Sequence, residues 1–197
     1  MFLINHIILV VLWLLFGVLH SVLAAEWFKR LMQRRLGSGY KYYNFAYSVF
    51  AMLTIIGILI FQLNMASSLL YVASAWMKLL LWLPVLAGAL IMVVVIRKYF
   101  FSLSGISVFY KHKPPVALEL GGLNRYVRHP LYLGTLLFIW GLFFVFPFLN
   151  ALLACIVITL YTVLGAILEE KKLVKQFGEQ YVTYKSKVPM LIPRFYP

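Results

Sequence analysis

The sequence predicts an all-α membrane protein, a polytopic helical bundle with about five transmembrane helices and a C-terminal amphipathic helix. Hydrophobic residues make up 64% of the 197 residues and charged residues only 12%, and the mean hydropathy is +0.94. A soluble domain of this size cannot cover so much apolar surface, because most of its residues contact solvent. A lipid bilayer is therefore the first partner that the composition predicts.

Five apolar segments, separated by polar ones, predict the spans: residues 2–25, 42–63, 76–96, 131–146 and 150–168. Most approach the roughly 20 residues that cross the hydrocarbon core. The first has no basic residues ahead of it and is too long for a signal-peptide core, so we expect it to be retained. Pro84 is expected to kink the third helix. The fourth segment is shorter and ends in a turn at Pro147, which predicts a hairpin of the last two helices.

Lys and Arg cluster in three of the polar segments. Five lie between spans one and two, six lie between spans three and four, and six follow span five, with Lys78 as the exception. The positive-inside rule then predicts an outside N-terminus, a cytoplasmic C-terminus and an odd number of spans. The net charge of +13 is explained by this topology and by anionic lipid head groups, so no nucleic acid partner is predicted.

Residues 173–188 predict the amphipathic helix. Leu173, Phe177, Tyr181, Tyr184 and Val188 recur at spacings of 4, 4, 3 and 4, which is typical of one stripe of a helix. We expect this helix at the cytoplasmic interface, and the alternative is that it caps the bundle. The chain is predicted to form one domain, with a three-helix part in residues 1–97 and the binding part in residues 98–197.

Arg128 and His129 lie just before Pro130, which suits the first turn of a helix. The start of that helix offers backbone N–H groups and the positive end of the helix dipole, a favourable place for an anion such as a carboxylate. The alternative is that the Arg-His pair anchors the end of the helix to lipid head groups. A single cysteine, Cys155, predicts no cysteine-rich metal site and no disulfide.

Glu169 and Glu170 form a second group, at the predicted depth of His129. Neighbouring helix positions diverge by about 100°, so we expect only one of the two carboxylates to point inward. It would bind ribose hydroxyls or face a cationic ligand. The alternative is that the acids are solvated, or paired with Lys172 or Arg128.

His20 and Ser21 lie inside the first apolar segment. Ionisable groups within a membrane span are costly and indicate function, although water or a backbone carbonyl satisfies a histidine this near the interface. Tyr43 and Asn44 open the second span at the same depth. They fit either a substrate contact or an aromatic belt.

Four of these elements, taken in order, resemble the C-terminal signature of the isoprenylcysteine carboxyl methyltransferase superfamily, which includes phospholipid N-methyltransferases. The resemblance covers roughly residues 111–193. The elements are Arg128-His129-Pro130-x-Tyr132-x-Gly134, Glu169-Glu170, Phe177-Gly178-Glu179-x-Tyr181-x-x-Tyr184, and Val188-Pro189 with Pro193.

The resemblance implies an integral-membrane methyltransferase that uses S-adenosylmethionine as its cofactor, and no metal site is predicted. The cofactor-binding residues that it implies are Tyr126, Arg128, His129, Pro130, Leu131, Tyr132, Gly134, Glu169 and Glu170. The catalytic residues that we expect are His20, Arg128 and Glu170, and the expected substrate contacts are His20, Ser21, Tyr43 and Asn44.

The N-terminal half resembles the bacterial methanethiol S-methyltransferase branch, which implies a bacterial inner membrane. The similar stretches are Leu19–Ala24 with Phe28-Lys29-Arg30, Phe101–Gly105, and Tyr161-Thr162 with Gly165. A denitrification-accessory membrane family shares some of these features. The prenylcysteine branch carries an arginine just before the acidic pair, whereas residues 162–168 contain no cation, which disfavours prenylcysteine as the substrate.

The expected acceptor is therefore a small or lipophilic thiol, or a carboxylate. One alternative is a phospholipid N-methyltransferase. Another, from a different class, is a membrane accessory or transport protein that keeps the motif for structure. The oligomeric state stays open.

Overall fold

The computed structural model describes residues 2–103 and 118–193, and the side chains of residues 2–99 and 118–193. Within these ranges the chain forms α1 (Phe2–Ala24), α2 (Glu26–Leu36), α3 (Tyr43–Asn64), α4 (Ala75–Leu103), α5 (Pro130–Val145), α6 (Leu149–Phe177) and α7 (Glu179–Lys187). Two 3-10 turns lie at Gly37–Tyr42 and Gly122–Arg125. In the described ranges the strand pairing is limited to an isolated bridge between Leu69 and Phe148.

The predicted all-α membrane bundle is confirmed. Four helices are long and apolar enough to cross a membrane, and α5 is a shorter apolar helix. The 16 residues of α5 extend about 24 Å at the usual helical rise, less than the roughly 30 Å of the hydrocarbon core. The protein is an integral membrane protein with a lipid bilayer around it. Helix α6 continues to Phe177, beyond the predicted end of span five, so the acidic pair lies within this helix.

The chain divides into two compact units. The first contains residues 2–70, 99–103 and 148–158 of the described chain, and the second contains residues 71–98, 118–147 and 159–193. Residues 71–97, which we expected in the N-terminal part, thus belong with the residues of the C-terminal part. The prediction of a single domain stays a prediction.

The first unit has an apolar core formed by α1, α3 and the start of α6. Its buried residues are Leu9, Trp13, Ile58, Ala154 and Val157. Because α1 and α3 leave many other large apolar side chains exposed, their outer faces suit contact with lipid rather than water.

A buried polar network closes one end of the first unit. The side chain of His6 lies 3.3 Å from the Ser67 hydroxyl, which accepts a hydrogen bond from the Asn150 backbone N–H at 2.9 Å. The Asn150 amide donates to the Gln62 carbonyl at 2.8 Å, and the Trp13 indole donates to the Gln62 side chain at 3.3 Å. Polar groups in an apolar environment require such partners, so this network holds the loop after α3 against the start of α6.

Helices α4 and α5 of the second unit approach each other through glycines. A Cβ atom at Gly88 would lie 2.6 Å from the Gly134 carbonyl oxygen and 2.6 Å from the Phe138 nitrogen. A Cβ at Gly141 would lie 2.7 Å from a methyl group of Val85. Small residues at a membrane helix contact allow such close backbone packing, and it fixes where α5 begins.

The C-terminal amphipathic helix is present, but the prediction of one continuous stripe over residues 173–188 is wrong. Helix α6 ends at Phe177, and Gly178 has a φ of +54° before α7 begins. This left-handed conformation ends a helix and favours glycine. On α7, Tyr181 and Tyr184 are both buried, so this helix packs onto the second unit, as in the capping alternative.

The residues of α2 were expected to be a polar connection and form a helix instead. Its four basic residues share the helix with Trp27 and Leu31, which are both exposed. Basic residues alternating with exposed apolar ones are typical of a helix in the membrane interface, so this element was predictable from the same pattern that predicted α7.

Candidate functional site

An ion pair between Arg128 and Glu170 is the centre of the candidate site. The Nε and Nη2 atoms of Arg128 lie 2.7 Å and 2.6 Å from Oε1 of Glu170. Both side chains are buried, and paired hydrogen bonds between ionised groups are among the strongest in proteins. The pair therefore holds the start of α5 against the last part of α6, as predicted for His129 and the acidic pair.

The guanidinium of Arg128 also binds the chain after α7. Its Nη1 atom donates to the carbonyl oxygen of Lys185 at 3.1 Å and to that of Val188. Backbone bonds reinforce this contact, because the Arg128 N–H donates to the Pro189 carbonyl at 2.9 Å and the His129 N–H to the Met190 carbonyl at 3.2 Å. Arg128 thus joins three parts of the second unit.

His129 lies between the two glutamates. Its Nε2 atom is 3.3 Å from Oε1 of Glu170, and its Nδ1 atom is 3.7 Å from Oε2 of Glu169. The Tyr132 hydroxyl donates to the same Glu169 oxygen at 2.9 Å. The rings of His129 and Tyr132 are stacked, with 5.3 Å between their centroids. Because His129 is the N-cap of α5 and Pro130 its first residue, the start of this helix orients both rings.

The two carboxylates have different environments, which confirms that only one points inward. The side chain of Glu170 is 5% exposed and that of Glu169 is 47% exposed. Glu170 is also bound by the Lys185 ammonium, 2.8 Å from Oε2. Pairing of the acids with Arg128 or Lys172 was an alternative that the sequence left open. The contact of Glu170 with Lys185 was not predicted. Glu169 is therefore the carboxylate available to a ligand.

Tyr181 adds a buried hydroxyl to this region. The residue is 1% exposed, and within the described ranges its hydroxyl has no hydrogen-bond partner. Burial, followed by the negative charge of Glu170, raises the pKa of Tyr181 to about 12. The group is therefore protonated at neutral pH and able to donate a hydrogen bond.

These side chains fit a ligand that carries both a positive charge and hydroxyl groups. A half-exposed carboxylate accepts hydrogen bonds from ribose hydroxyls or faces a cation, while the partly exposed Tyr132 ring, stacked on the buried His129, offers apolar surface beside it. The buried Tyr181 hydroxyl, which has no partner among the described residues, is a further potential donor. The donor and acceptor set thus suits a nucleoside with a cationic substituent.

Three other residues predicted to bind the cofactor lie near the start of α5. Tyr126 is exposed, and Leu131 is half-buried. A Cβ at Gly134 would lie 2.9 Å from Ile91 and 3.1 Å from the Gly88 carbonyl oxygen, so packing against α4 is sufficient to explain a glycine there.

The residues predicted near His20 belong to the first unit. The Tyr47 hydroxyl lies 2.9 Å from both ring nitrogens of His20, and the Tyr43 hydroxyl donates to the Leu23 carbonyl at 2.7 Å. Ser21 lies on α1 and Asn44 in the first turn of α3. These residues belong to the first unit, whereas Arg128 and Glu170 belong to the second, and their roles stay predictions.

Lys185 and the carbonyls of residues 188–190 were missed by sequence reasoning. Lys185 was read as one of several cytoplasmic lysines, since nothing in its local pattern distinguishes it. Its signal was indirect, because the neighbouring Tyr184 belongs to the C-terminal signature, and its hydroxyl donates to the Asn124 carbonyl at 2.6 Å. A motif residue at that position indicates that α7 contributes to the site.

Comparison with known proteins connects this geometry to a family. Residues 82–180 match the family described as phospholipid methyltransferase. The chain is 32% identical over 188 residues to the methanethiol S-methyltransferase of Pseudomonas sp. strain GM41, covering 91% of this chain and 70% of that protein. No solved structure gives a significant match.

Shorter similarities extend to other named methyltransferases. The chain is 36% identical to the methanethiol S-methyltransferase of Crocosphaera subtropica over an alignment of 97 residues. This alignment covers 47% of this chain and 36% of that protein. It is 39% identical to the protein-S-isoprenylcysteine O-methyltransferase of Schizosaccharomyces pombe over an alignment of 79 residues. This alignment covers 39% of this chain and 33% of that protein. The protein belongs to the phospholipid methyltransferase family, and it is an integral-membrane methyltransferase that requires a methyl donor.

Proposed function

We propose that the protein transfers a methyl group from S-adenosylmethionine to a small or lipophilic thiol, with a carboxylate as the other acceptor class. The observation that carries this proposal is the contact of the Arg128–His129 segment with Glu169 and Glu170. Similar proteins named methanethiol S-methyltransferases support a small thiol.

Each residue of the proposed cofactor site has a role. Glu169 and Tyr132 contact the cofactor directly, while Arg128, His129 and Glu170 hold this half-exposed carboxylate and its aromatic neighbour in place. Residues just before and within the first turns of α5 shape the wall of the site. The wall residues are Tyr126, Pro130, Leu131 and Gly134.

The chemistry favours a water-poor, basic site. When bound, S-adenosylmethionine supplies a methyl group on a positively charged sulfonium. Attack by a thiolate joins a cation and an anion into neutral products, so a low-dielectric environment favours the reaction. The protein aligns donor and acceptor, and a nearby cation such as Lys185 lowers the pKa of a thiol and increases its thiolate fraction. His20 and Ser21, with Tyr43 and Asn44, are proposed to contact the acceptor.

A phospholipid N-methyltransferase is the second candidate, because residues 82–180 match the phospholipid methyltransferase family. An amine acceptor must lose a proton before or during transfer. His20 and His129 are the candidate bases. Choline-type head groups accumulating in cells that express the protein would support this alternative.

We propose a bacterial inner membrane location with the C-terminus in the cytoplasm. The loops and tail that carry the basic residues then face the cytoplasm, where S-adenosylmethionine is made. An apolar acceptor reaches the site from the lipid, and a small thiol from the membrane surface.

The proposal is tested by a labelled-methyl assay of the purified protein against thiols, prenylated thiols, carboxylic acids and phospholipids. We expect label in a methyl sulfide product. Glu169→Gln should weaken S-adenosylmethionine binding ten- to a hundredfold, the usual effect of losing a hydrogen bond to a charged group. Glu179→Gln, an exposed acid at the start of α7, is the matched control. Absence of labelled product with all four classes, together with no binding of S-adenosylmethionine, would contradict the proposal.

A further inference from the structure

Tyr181 differs from the two other tyrosines around the acidic pair. The Tyr132 hydroxyl donates to Glu169 at 2.9 Å, and the Tyr184 hydroxyl donates to the Asn124 carbonyl at 2.6 Å. The Tyr181 hydroxyl is buried and has no partner within the described residues. A buried hydroxyl without a partner costs free energy, because its hydrogen bonds to water are lost on folding and not replaced. Such a group is typical of a functional site.

Glu170 is not the missing acceptor in this conformation. Its Oε1 atom already accepts from Arg128 and lies 3.3 Å from His129, and its Oε2 atom accepts from Lys185. The hydroxyl nevertheless lies among the charges of the site, since, beyond the effect of burial, Glu170 raises the pKa of Tyr181 and Arg128 lowers it. Its position is also well fixed, since its ring packs edge-on against that of Tyr184 at 5.8 Å between centroids.

We infer that the Tyr181 hydroxyl is a ligand-binding group, which donates a hydrogen bond to an acceptor atom of the bound methyl donor. This inference rests on the proposed function and adds a residue to its cofactor site. The hydroxyl is inaccessible in the conformation described. The methyl donor therefore reaches it only after a local rearrangement. Of the Lys and Arg side chains paired with Glu170, Lys185 is 48% exposed and Arg128 8% exposed, so the Lys185 contact is the one that water reaches.

The test compares Tyr181→Phe with Tyr184→Phe, which each remove one buried hydroxyl from α7. Tyr181→Phe should bind S-adenosylhomocysteine about tenfold more weakly, as expected for one lost hydrogen bond. Its melting temperature without ligand should equal or exceed that of the wild type. Tyr184→Phe should melt at a lower temperature without ligand, because it loses the bond to Asn124. Binding is measured by calorimetry in detergent, and melting by intrinsic fluorescence.

A spectroscopic measurement keeps the inference testable if Tyr181→Phe does not fold. The fluorine resonance of 3-fluorotyrosine at position 181 should shift when S-adenosylhomocysteine is added, and the same label at position 184 should shift less. Unchanged ligand affinity in Tyr181→Phe, or an unshifted label at position 181, would overturn the inference. The proposed function would remain intact in that case, provided that the wild type binds the ligand. Failure of the wild type to bind would overturn both.

Discussion

Arg128 illustrates how the contacts of one residue define its role. The predictions placed it in the cofactor site, and its described side-chain contacts all go to the protein: Glu170 and the carbonyls of Lys185 and Val188. A guanidinium suits this task because its planar set of donors binds a carboxylate and carbonyls at once. We propose that Arg128 is a positioning residue, which acts on the cofactor site through Glu170 and the chain after α7.

Arg128→Ala should lower the free energy of unfolding by about 3–5 kcal/mol, because removing one partner leaves the buried Glu170 carboxylate with less compensation. Arg128→Lys should restore part of this loss, since an ammonium keeps the charge but not the second and third donor directions. Denaturant unfolding in detergent measures both. Arg125→Ala, at an exposed position nearby, should change stability by less than about 0.5 kcal/mol. Normal stability of Arg128→Ala with weakened cofactor binding would instead indicate direct contact with the cofactor.

Glycines position the helices at two places. At the first a Cβ would clash with the neighbouring helix, and at the second the backbone has a positive φ. Gly88 and Gly134 allow α4 and α5 to touch through their backbones, and Gly178 turns the chain between α6 and α7. The first contact places the start of α5, which carries His129 and Tyr132. The turn places α7, which carries Lys185.

Gly88→Ala should destabilise the protein by about 1–3 kcal/mol, the usual cost of overpacking a close contact. The added Cβ meets backbone atoms on α5, which cannot move aside as a side chain does. Gly57→Ala is the matched control, because this helical glycine has nothing within 4 Å of a Cβ. Thermal melting distinguishes the two variants. Equal melting temperatures would show that α4 and α5 are not in backbone contact.

Gly178→Ala should cost about 1 kcal/mol, since a residue with a Cβ is strained at positive φ. Gly37→Ala carries the same backbone strain, with a φ of +52°, and neither glycine has an atom within 4 Å of a Cβ. Because Gly178 orients α7, its variant should also weaken S-adenosylmethionine binding, whereas the Gly37 variant should not. Calorimetry on both proteins checks the difference, and equal affinities would separate α7 from the site.

At the scale of the whole molecule, the distribution of basic residues predicts the topology. The connections around residues 64–74 and 147–149 carry no Lys or Arg, whereas the two other connections and the chain after span five carry 17 of the 18. In this predicted topology, the acidic pair and its cations lie on the cytoplasmic side, where the methyl donor is available.

Single cysteines test this topology in a Cys155→Ser background. Val72→Cys, at an exposed position in an uncharged connection, should react with a membrane-impermeant maleimide in intact spheroplasts. Lys187→Cys, at the exposed end of α7, should react only after the membrane is permeabilised. The reverse labelling pattern would contradict the predicted orientation and place the candidate site outside the cytoplasm.

The sequence by itself determined the membrane class, the helical segments and the family signature, because composition, apolar run length and motif order are local properties of the chain. It also predicted that one of the neighbouring acids points inward, since helical geometry separates adjacent side chains. It did not reveal that α2 is a helix, although its amphipathic pattern was visible, because the segment was read only for its charge.

Only the tertiary structure decided which of the many cations bind the acidic pair. Lys185 lies 15 positions after Glu170 and, in the sequence, is one of several lysines in the tail. Because Gly178 turns the chain between α6 and α7, the Lys185 ammonium lies 2.8 Å from the Glu170 carboxylate. The break in the tail stripe has the same cause. Side-chain partners across a turn depend on the path of the backbone in space, and that path is determined by packing between elements distant in the chain.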